Sequence, residues 1–219
     1  MAKNLTALLA GASGLVGGEC LKRLIESGEY ARVIVVTRRD LGKPARHPKV
    51  HQLVVEFDRL GDVREKLRAH HVFCALGTTI RKAGSKAKFR QVDYEYPLRL
   101  AQLAHMNDAR HFSIVSALGA SRSSPFFYSQ VKGEVEEGLR AMGWRSLAIF
   151  RPSVIAGERG ESRPIERLGE HLLRLAPATW RPVAASDIAA AMVAIAIESP
   201  PDVTVVESRD IPAWARKLH

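Results

Sequence analysis

Two side chains that can move a proton, Tyr128 and Lys132, lie four residues apart. Residues at this spacing share one face of a helix, so a helix here would bring the lysine cation close to the phenol. A tyrosine with its ordinary pKa of about 10 is a poor acid–base group at neutral pH, and a neighbouring cation lowers that pKa. Lowering it by about three units needs roughly 4 kcal/mol of differential stabilisation. The pair predicts proton transfer to or from a substrate oxygen.

A serine hydroxyl accompanies this pair at the end of an apolar run. Ser116 follows the run that starts at His111, which reads as the fifth strand of a sheet. Its hydroxyl could hold a substrate carbonyl oxygen beside Tyr128, and the alternative is an ordinary turn residue at the end of a strand. Ser113 lies inside the same run and is interpreted as structural.

Glycines recur every third residue at Gly11, Gly14 and Gly17, directly after the apolar run Leu5 to Ala10. Gly11 would allow a tight turn, Gly14 a close approach of the backbone to a pyrophosphate, and Gly17 the contact of helix and sheet. A strand before and an amphipathic helix after the glycines form the context that gives this motif its meaning. We therefore expect a dinucleotide to contact Gly11, Ser13, Gly14, Leu15, Val16 and Gly17.

The end of the second apolar run indicates which dinucleotide binds. NAD-binding proteins of this kind place an acidic residue there, which holds the ribose 2′-hydroxyl. Here Arg38 and Arg39 stand in that place and would pair with a 2′-phosphate, which predicts NADP(H) with Arg38 as the first choice. The alternatives are a solvated loop, or Asp40 acting as the NAD-type acid. Asp58, after the third run, could accept a hydrogen bond from the adenine amine.

Strands alternate with helices along the whole chain, which predicts a parallel sheet with right-handed crossovers. The predicted fold class is α/β: a Rossmann-type doubly wound parallel sheet. It forms one domain over residues 1–219, with a small carboxyl-terminal, substrate-side cap over about 152–183. The predicted strands are 5–10, 32–37, 51–55, 71–75, 111–116, 145–150 and 203–206.

The predicted helices place the chemical groups between these strands. One over 126–142 carries the Tyr128 pair, and one over 92–105 contains Pro97, which must kink it or start a second helix. Gly28 would cap the first helix, Ser186 and Asp187 would cap a helix from Ile188 to Glu198, and the cap would hold a short helix over 165–175. The helix from Ile188 is apolar nearly all round, which indicates core packing or a homodimer interface.

Composition narrows the function classes. The 219 residues carry a formal net charge of +10, which suits phosphorylated cofactors and anionic substrates as well as nucleic acid. No nucleic-acid-binding motif is present, and only 6% of residues are aromatic, so specific nucleic-acid binding is not expected. No apolar run is long enough to span a bilayer and no signal-peptide pattern is present, which predicts a cytoplasmic protein without a membrane segment.

Three further groups of residues bear on the question of ligand binding. The basic segment Arg81, Lys82, Lys86, Lys88 and Arg90 is either a lid that attracts an anionic substrate or the cofactor phosphates, or a solvated loop. The eight histidines show no metal-ligand spacing, so no metal is expected. Cys20 and Cys74 lie in apolar runs and are interpreted as small buried residues.

Taken together, the glycine motif, the serine after the fifth run and Tyr128-x-x-x-Lys132 resemble the short-chain dehydrogenase/reductase superfamily. Several longer stretches resemble its atypical, NADPH-binding, Tat-interacting-protein-like branch. These stretches are residues 73–79, 81–84, 130–136, 150–152 and 161–164.

The resemblance implies an activity and residue roles. A hydride would pass between nicotinamide and a carbonyl carbon of a small-molecule substrate. Tyr128 would give or take the proton, Lys132 would bind the nicotinamide ribose and tune Tyr128, and Ser116 would orient the carbonyl. Many members carry an asparagine of a proton relay at about the position of Asp93, so the relay here is expected to be altered. Cofactor contacts would also come from Leu76, Gly77, Thr78, Pro152, Val154 and Ile155.

Three functions follow from these observations. The first is an NADP(H)-dependent oxidoreductase of unknown substrate, which the set of Tyr128, Lys132 and Ser116 favours. The second is an NADPH-binding regulatory or scaffold protein with little turnover, which Asp93 and the small cap favour. The third, sugar-nucleotide epimerisation, is the weakest, because the segment after Arg151 is short for a pocket that holds a nucleotide sugar.

Overall fold

A computed structural model describes residues 4–156 and 181–218. Its main sheet has seven strands, all parallel to their neighbours, and a separate pair of two-residue strands, β7 and β8, lies beside it. The strands are β1 (Leu5–Ala10), β2 (Tyr30–Thr37), β3 (Val50–Val54), β4 (His71–Cys74), β5 (His111–Val115), β6 (Ser146–Arg151), β7 (Ile155–Ala156), β8 (Val183–Ala184) and β9 (Asp202–Glu207).

The strand order is β3-β2-β1-β4-β5-β6-β9, which confirms the doubly wound Rossmann-type sheet. The order reverses direction between β1 and β4, and open sheets of this kind bind ligands in the crevice at such a reversal. The central strands are buried on both faces, which explains their unbroken apolar sequences. All seven predicted strands are present, with ends that differ from the predicted ones by at most two residues.

Seven helices occur in the described residues, and they cover both faces of the sheet. They are α1 (Leu15–Glu26), α2 (Ile80–Ala83), α3 (Lys86–Arg90), α4 (Tyr96–His105), α5 (Phe127–Arg140), α6 (Ala185–Glu198) and α7 (Ile211–Ala215). Short 3₁₀ segments join other elements at Lys43–Ala45, Phe57–Leu67, Ser208–Asp210 and Arg216–Leu218.

The predicted helix over 92–105 contains a proline, and the helix changes its form directly before this residue. A π-helical turn over Gln91–Glu95 joins α3 to α4, and Pro97 lies in the first turn of α4. Proline has no N–H to donate to the preceding turn, and a wider turn before it lets the chain continue in one direction. The π-turn also carries Asp93, so this irregular place in the helix holds a residue of the candidate site.

Two predicted helix caps are wrong, although α1 ends where the sequence predicts, near Ser27 and Gly28. Gly28 does not adopt a left-handed conformation, and the cap is instead the extended Ser27, whose amide donates to the Arg23 carbonyl oxygen. At the other helix, Ser186 and Asp187 lie inside the first turn of α6, which starts at Ala185 without a side-chain cap. Asp187 there faces the positive end of the helix dipole, which is a favourable position for an acid.

The core has two parts, one on each face of the sheet. The face with α1 and α6 buries an alanine-rich cluster in which Ile188 to Ala196 have almost no exposed surface. This burial confirms core packing for α6. The face with α4 and α5 buries larger side chains such as Phe112 and Leu139. Cys20 and Cys74 are fully buried, as their apolar surroundings predicted.

The proposed cap is described only at its two ends, where β7 pairs with β8. The predicted short helix over 165–175 lies outside the described residues. None of the helices in the described part of the chain has the length and apolar character needed to cross a bilayer.

Candidate active site

The glycine loop after β1 is built on contacts that exclude a side chain. Gly11 has a φ of +93°, and a Cβ atom there would lie 2.4 Å from the Ala75 carbonyl oxygen. At Gly17, a Cβ atom would lie 2.0 Å from the Gly11 carbonyl oxygen. These two glycines therefore let the loop close on itself and on the end of β4. The same geometry explains the role that the sequence assigned to each of them.

The loop leads into a helix end that can bind a phosphate. Gly14 starts α1 without a side-chain cap, and the first turn contains no acid. Among the described residues, no acceptor is found for the amides of Leu15, Val16 and Gly17. Free amides and the positive end of the helix dipole fit an anionic group. Of the predicted contacts, Val16 is buried in the core, so only its backbone can face a ligand, whereas Ser13 is exposed.

A cleft of about 420 Å³ connects the glycine loop to the segment after β2. Its lining includes Ser13 on one side and Asp40 and Leu41 on the other. Arg38 and Arg39 are exposed in the same segment, and neither has an acidic partner in residues 4–156 and 181–218. This segment therefore offers both the arginines and the competing acid that the sequence indicated.

The competing acid is engaged within its own loop. One carboxylate oxygen of Asp40 accepts hydrogen bonds from the Gly42 amide at 2.8 Å and from Gln52 Nε2 at 2.9 Å. The bond from Gln52, followed by that from Gly42, holds the pKa of the Asp40 carboxyl below its usual value. Asp40 is therefore a fixed anion whose bound oxygen is directed to β3.

Asp58, the predicted adenine contact, lies at the start of the 3₁₀ segment after β3. Its two carboxylate oxygens accept hydrogen bonds from Gln91 Nε2 and Tyr96 Oη, each at 3.2 Å. The neighbouring Phe57 is buried and stacks on Tyr96 with ring centroids 5.2 Å apart. Asp58 thus joins this segment to the π-turn and to α4. Its contact with adenine stays a prediction.

A buried ion pair joins Lys132 to Asp93. Lys132 Nζ lies 2.8 Å from Asp93 Oδ1, and both side chains are at most 5% exposed. Nζ also donates to the Val115 carbonyl oxygen at 3.4 Å. Burial alone lowers the pKa of the Lys132 ammonium, but Asp93 and Tyr128 outweigh it, so this pKa lies above its ordinary value. Lys132 is therefore held as a cation inside the protein.

The same ion pair reaches the loop after β4. The Thr78 amide donates to Asp93 Oδ2 at 2.9 Å, and a Cβ atom at Gly77 would lie 3.5 Å from Asp93 Oδ1. Gly77, Thr78 and Lys132, which were predicted separately, are thus brought together by Asp93. Leu76, the third predicted residue of this loop, is partly buried against the core.

Tyr128 lies in the first turn of α5, one turn before Lys132, and is 39% exposed. Its ring packs against Phe89, with centroids 5.5 Å apart, and Phe89 also contacts Phe127 at 5.8 Å. The phenol oxygen has no hydrogen-bond partner within the described part of the chain. An exposed, unbonded hydroxyl beside a buried cation can exchange a proton with a bound molecule.

Ser116 belongs to a different network. Its hydroxyl donates to Glu136 Oε1 at 2.6 Å, and Ser116 is 4% exposed. Glu136 is 1% exposed and also accepts from Arg151 Nε at 3.0 Å and from Arg140 Nη2 at 3.2 Å. Because a hydroxyl has a single proton, Ser116 cannot donate to Glu136 and to a substrate carbonyl at the same time. Its predicted role therefore requires this bond to break.

Arg151 extends this network to the edge of the sheet. It makes a second bond to Glu136 through Nη2 at 2.6 Å and pairs with Glu207 through Nη1 at 3.1 Å. These acids raise the pKa of the guanidinium further above its ordinary value. The signal for this network was present in the sequence, since Arg140 follows Glu136 by four residues and Arg151 ends an otherwise apolar strand.

The backbone predicted to approach the nicotinamide lies next to Ser116. The Leu118 amide donates to the Pro152 carbonyl oxygen at 2.9 Å, which joins the segments after β5 and β6. Pro152 is buried, whereas Val154 is 42% exposed and Ile155 is partly buried in β7. No group of three or more acidic, histidine or cysteine side chains that could hold a metal ion is found in residues 4–156 and 181–218.

Fold and loop geometry together define a dinucleotide-binding protein of the Rossmann class. A family of proteins described as NAD(P)H-binding matches residues 11–198 of the chain. Protein HTATIP2 of Rattus norvegicus is 38% identical over 180 residues, which cover 81% of this chain and 74% of that relative. The chain belongs to this NAD(P)H-binding family, as an atypical, Tat-interacting-protein-like short-chain dehydrogenase/reductase.

More distant relatives and solved structures agree with this assignment. Protein FMP52 of Saccharomyces cerevisiae, named as mitochondrial, is 32% identical over 73% of this chain and 69% of its own length. MoeE5 with UDP-glucose and NAD superposes with a TM-score of 0.71 at 17% identity, covering 97% of this chain and 81% of that one. WbmG of Bordetella bronchiseptica with NAD superposes with a TM-score of 0.69 at 16% identity, covering 93% of this chain and 73% of that one. At these identities the structures show the fold alone.

Proposed function

We propose that the protein is an NADP(H)-dependent oxidoreductase that interconverts a carbonyl compound and an alcohol. The observation that carries this proposal is the arrangement around Lys132. Its ammonium is held by Asp93 at 2.8 Å, against the loop of Gly77 and Thr78, one helical turn from the exposed Tyr128. Bound NADPH would supply the hydride that a carbonyl carbon accepts.

Each residue of this arrangement has one task. Tyr128 would donate its proton to the carbonyl oxygen, and the buried Lys132 cation would stabilise the phenolate that remains. Asp93 keeps Lys132 charged and fixes its position, and the packing of Phe89 restricts the Tyr128 ring. Because Tyr128 is 39% exposed, its proton can be replaced from solvent.

Replacing a single hydroxyl tests this mechanism. We expect Tyr128→Phe to lower the rate of NADPH oxidation with a panel of aldehydes and ketones by about a hundredfold or more, because the proton donor is lost. Tyr94→Phe is the matched control, since the Tyr94 ring lies under Arg90 at 4.2 Å and has no part in the proposed chemistry. Turnover that survives Tyr128→Phe would contradict the role of Tyr128.

We propose NADP(H) rather than NAD(H) as the cofactor. The support is the exposed Arg38 and Arg39 after β2, whose guanidinium groups match the geometry of a phosphate. We expect Arg38→Ala to weaken NADPH binding roughly tenfold and to leave NADH binding nearly unchanged, measured by nucleotide fluorescence. Arg32→Ala, an exposed arginine at the opposite end of β2, is the control. Equal binding of both nucleotides to the wild-type protein would favour Asp40 as the ribose contact instead.

A second candidate is an NADPH-binding regulatory protein with little turnover. The observation in its favour is that Asp93 neutralises Lys132, which reduces the positive charge that Tyr128 meets. Tight NADPH binding without reduction of any carbonyl compound, together with a protein partner bound only in the presence of NADPH, would support it.

The cellular location is also proposed from the sequence. We propose a cytoplasmic protein, and the word mitochondrial in the names of the fungal FMP52 relatives is the competing indication. Imaging of the full chain carrying a carboxyl-terminal fluorescent tag distinguishes the two.

A further inference from the structure

The short helices α2 and α3 carry a group of basic residues, and α3 packs against the helix of Tyr128. From Ile80 to Val92 the chain contains five basic residues and no acid. Arg90 pairs with Glu134, whereas the other four are exposed and have no acidic partner among residues 4–156 and 181–218. We call these four exposed residues the basic platform: Arg81, Lys82, Lys86 and Lys88.

The platform is a fixed part of the fold. Both of its helices have side-chain caps: Thr79 Oγ1 accepts from the Lys82 amide at 3.2 Å and Ser85 Oγ from the Lys88 amide at 3.1 Å. Capped helix starts are more rigid than open loops of the same length. The four basic residues therefore lie on capped helical backbone, and their charged side chains extend into solvent.

One buried aromatic side chain connects the platform to the candidate catalytic residue. Phe89 of α3 has no exposed surface and packs against both Phe127 and Tyr128 of α5. Lys86 Nζ lies 5.2 Å from the centre of the Phe127 ring, which holds this cation beside the first turn of α5. A positive charge thus lies on the same side of the protein as the phenol that would meet the substrate.

The surroundings of Tyr128 also offer apolar surface. Phe126, directly before α5, is 73% exposed, which is unusual for so large a side chain. An exposed aromatic side chain together with cations that lack an acidic partner fits a ligand with one apolar and one anionic part.

We propose that the platform binds the anionic group of the substrate, so that the carbonyl compound reduced at Tyr128 carries a carboxylate or a phosphate beside an apolar part. This inference rests on the proposed function, because it uses Tyr128 as the point where the carbonyl oxygen binds. Lys86 is the principal contact, since its Nζ lies 5.2 Å from the ring centre of Phe127, the residue directly before Tyr128.

Binding of matched probes tests the proposal without requiring turnover. The probes are 4-carboxybenzaldehyde, 4-formylphenyl phosphate and 4-methylbenzaldehyde, which share an aromatic aldehyde and differ in charge. Ligand-observed NMR on the protein loaded with NADP+, which cannot reduce the aldehydes, should give tighter binding of the two anions than of the neutral probe. In Lys86→Glu we expect both anions to bind roughly fivefold more weakly or worse, with the neutral probe unchanged.

The control is Lys66→Glu, which makes the same charge change at an exposed lysine in the 3₁₀ segment before β4. It should leave all three affinities unchanged. Equal binding of charged and neutral probes by the wild-type protein, or equal effects of the two variants, would overturn the proposal. A loss of NADPH affinity in Lys86→Glu with unchanged probe binding would assign the platform to the cofactor phosphates and would overturn it as well.

The outcomes separate this proposal from the proposed function. Preferential binding of the anions with no NADPH oxidation would leave the platform in place and would contradict the oxidoreductase assignment. NADPH oxidation with both charged and neutral aldehydes, at equal KM values, would support the oxidoreductase assignment and would contradict the role of the platform.

Discussion

The carboxyl ends of the strands form one edge of the sheet, the carboxyl edge, and their amino ends form the other, the amino edge. These two edges bury polar groups in opposite ways. At the carboxyl edge, Asp93 and Glu136 are each 1% exposed, and each forms an ion pair with a basic side chain. At the amino edge, a buried cluster is held by hydrogen bonds between uncharged groups. His111 contacts Ser146 at 2.8 Å and Ser113 at 2.7 Å.

The amino-edge cluster continues across the neighbouring strands. Tyr30 Oη lies 2.9 Å from His71 Nδ1, and the rings of His71 and His111 are 5.6 Å apart. Burial, with a smaller effect of His71, lowers the pKa of His111 to about 3, so this ring is neutral at physiological pH. The neutral His111 ring suits a permanent structure at the amino edge, whereas the carboxyl edge holds paired charges.

The two carboxylates at the carboxyl edge also differ from each other. Glu136 is surrounded by Arg140, Arg151 and the Ser116 hydroxyl, so its bonding capacity is largely used within the protein. Asp93 Oδ1 contacts Lys132 Nζ at 2.8 Å, and no second donor to this oxygen is found in the described residues. Glu136 is thus suited to hold structure, and the Asp93–Lys132 pair has capacity left for a ligand.

The largest effect that we expect concerns stability at Glu136. Removal of one partner from a buried ionic network costs about 3–5 kcal/mol. Glu136→Ala should therefore lower the free energy of unfolding by about that amount in urea denaturation. Glu137→Ala is the control, because its ion pair with Arg122 is at least half exposed and should contribute at most about 1 kcal/mol. Similar losses in both variants would mean that the Glu136 network is no stronger than a surface ion pair.

Adjacent glycines test the close contacts of the carboxyl edge. Gly17→Ala would place a Cβ atom 2.0 Å from the Gly11 carbonyl oxygen, whereas at Gly18 the nearest contact is an ordinary 3.5 Å. We expect Gly17→Ala to lower the free energy of unfolding by about 1–3 kcal/mol and to weaken NADPH binding. Gly18→Ala should raise stability by up to about 1 kcal/mol, because alanine favours the helix. Thermal denaturation and nucleotide titration of both variants measure the difference, and identical behaviour would contradict the loop geometry.

The smallest effect that we expect is a loss of folding stability at acidic pH, caused by His111 at the amino edge. The pKa of His111 is lowered on folding, so the unfolded chain binds the proton more readily, and stability falls as pH drops below the unfolded pKa of about 6.5 towards about 3. Between pH 6.5 and 5.5 this should cost about 1 kcal/mol. The loss should be absent in His111→Gln and retained in His51→Gln, an exposed histidine of β3. A pH dependence unchanged by His111→Gln would assign it to other groups.

The backbone features of the carboxyl edge could be predicted from the sequence, and its side-chain pairing could not. Gly11 and Gly17 have a purpose that depends on local spacing, so their roles follow from the motif. The parallel, doubly wound sheet follows from the alternation of strands and helices, because few topologies are compatible with right-handed crossovers. Both kinds of inference use neighbours in the chain.

The side-chain networks join residues that are distant in sequence. Asp93 pairs with Lys132 because a π-turn before Pro97 directs it to the inside, and nothing in the local sequence specifies that direction. The position of Ser116 at the end of a strand predicts that it faces the substrate, but its hydroxyl donates a hydrogen bond to Glu136, twenty residues later. Such pairings depend on helix packing, which periodicity alone does not determine.

The most direct test of the central claim follows the hydride itself. Two samples of NADPH are prepared, each with deuterium at C4 on one face of the nicotinamide ring. Each sample is incubated with the protein and the panel of carbonyl compounds, and mass spectrometry measures the masses of the alcohol products. We expect deuterium in the product from one face only, with wild-type protein and not with Tyr128→Phe. Bound NADPH, confirmed by its fluorescence, with no deuterium in any product would contradict the claim that the carboxyl edge performs this reaction.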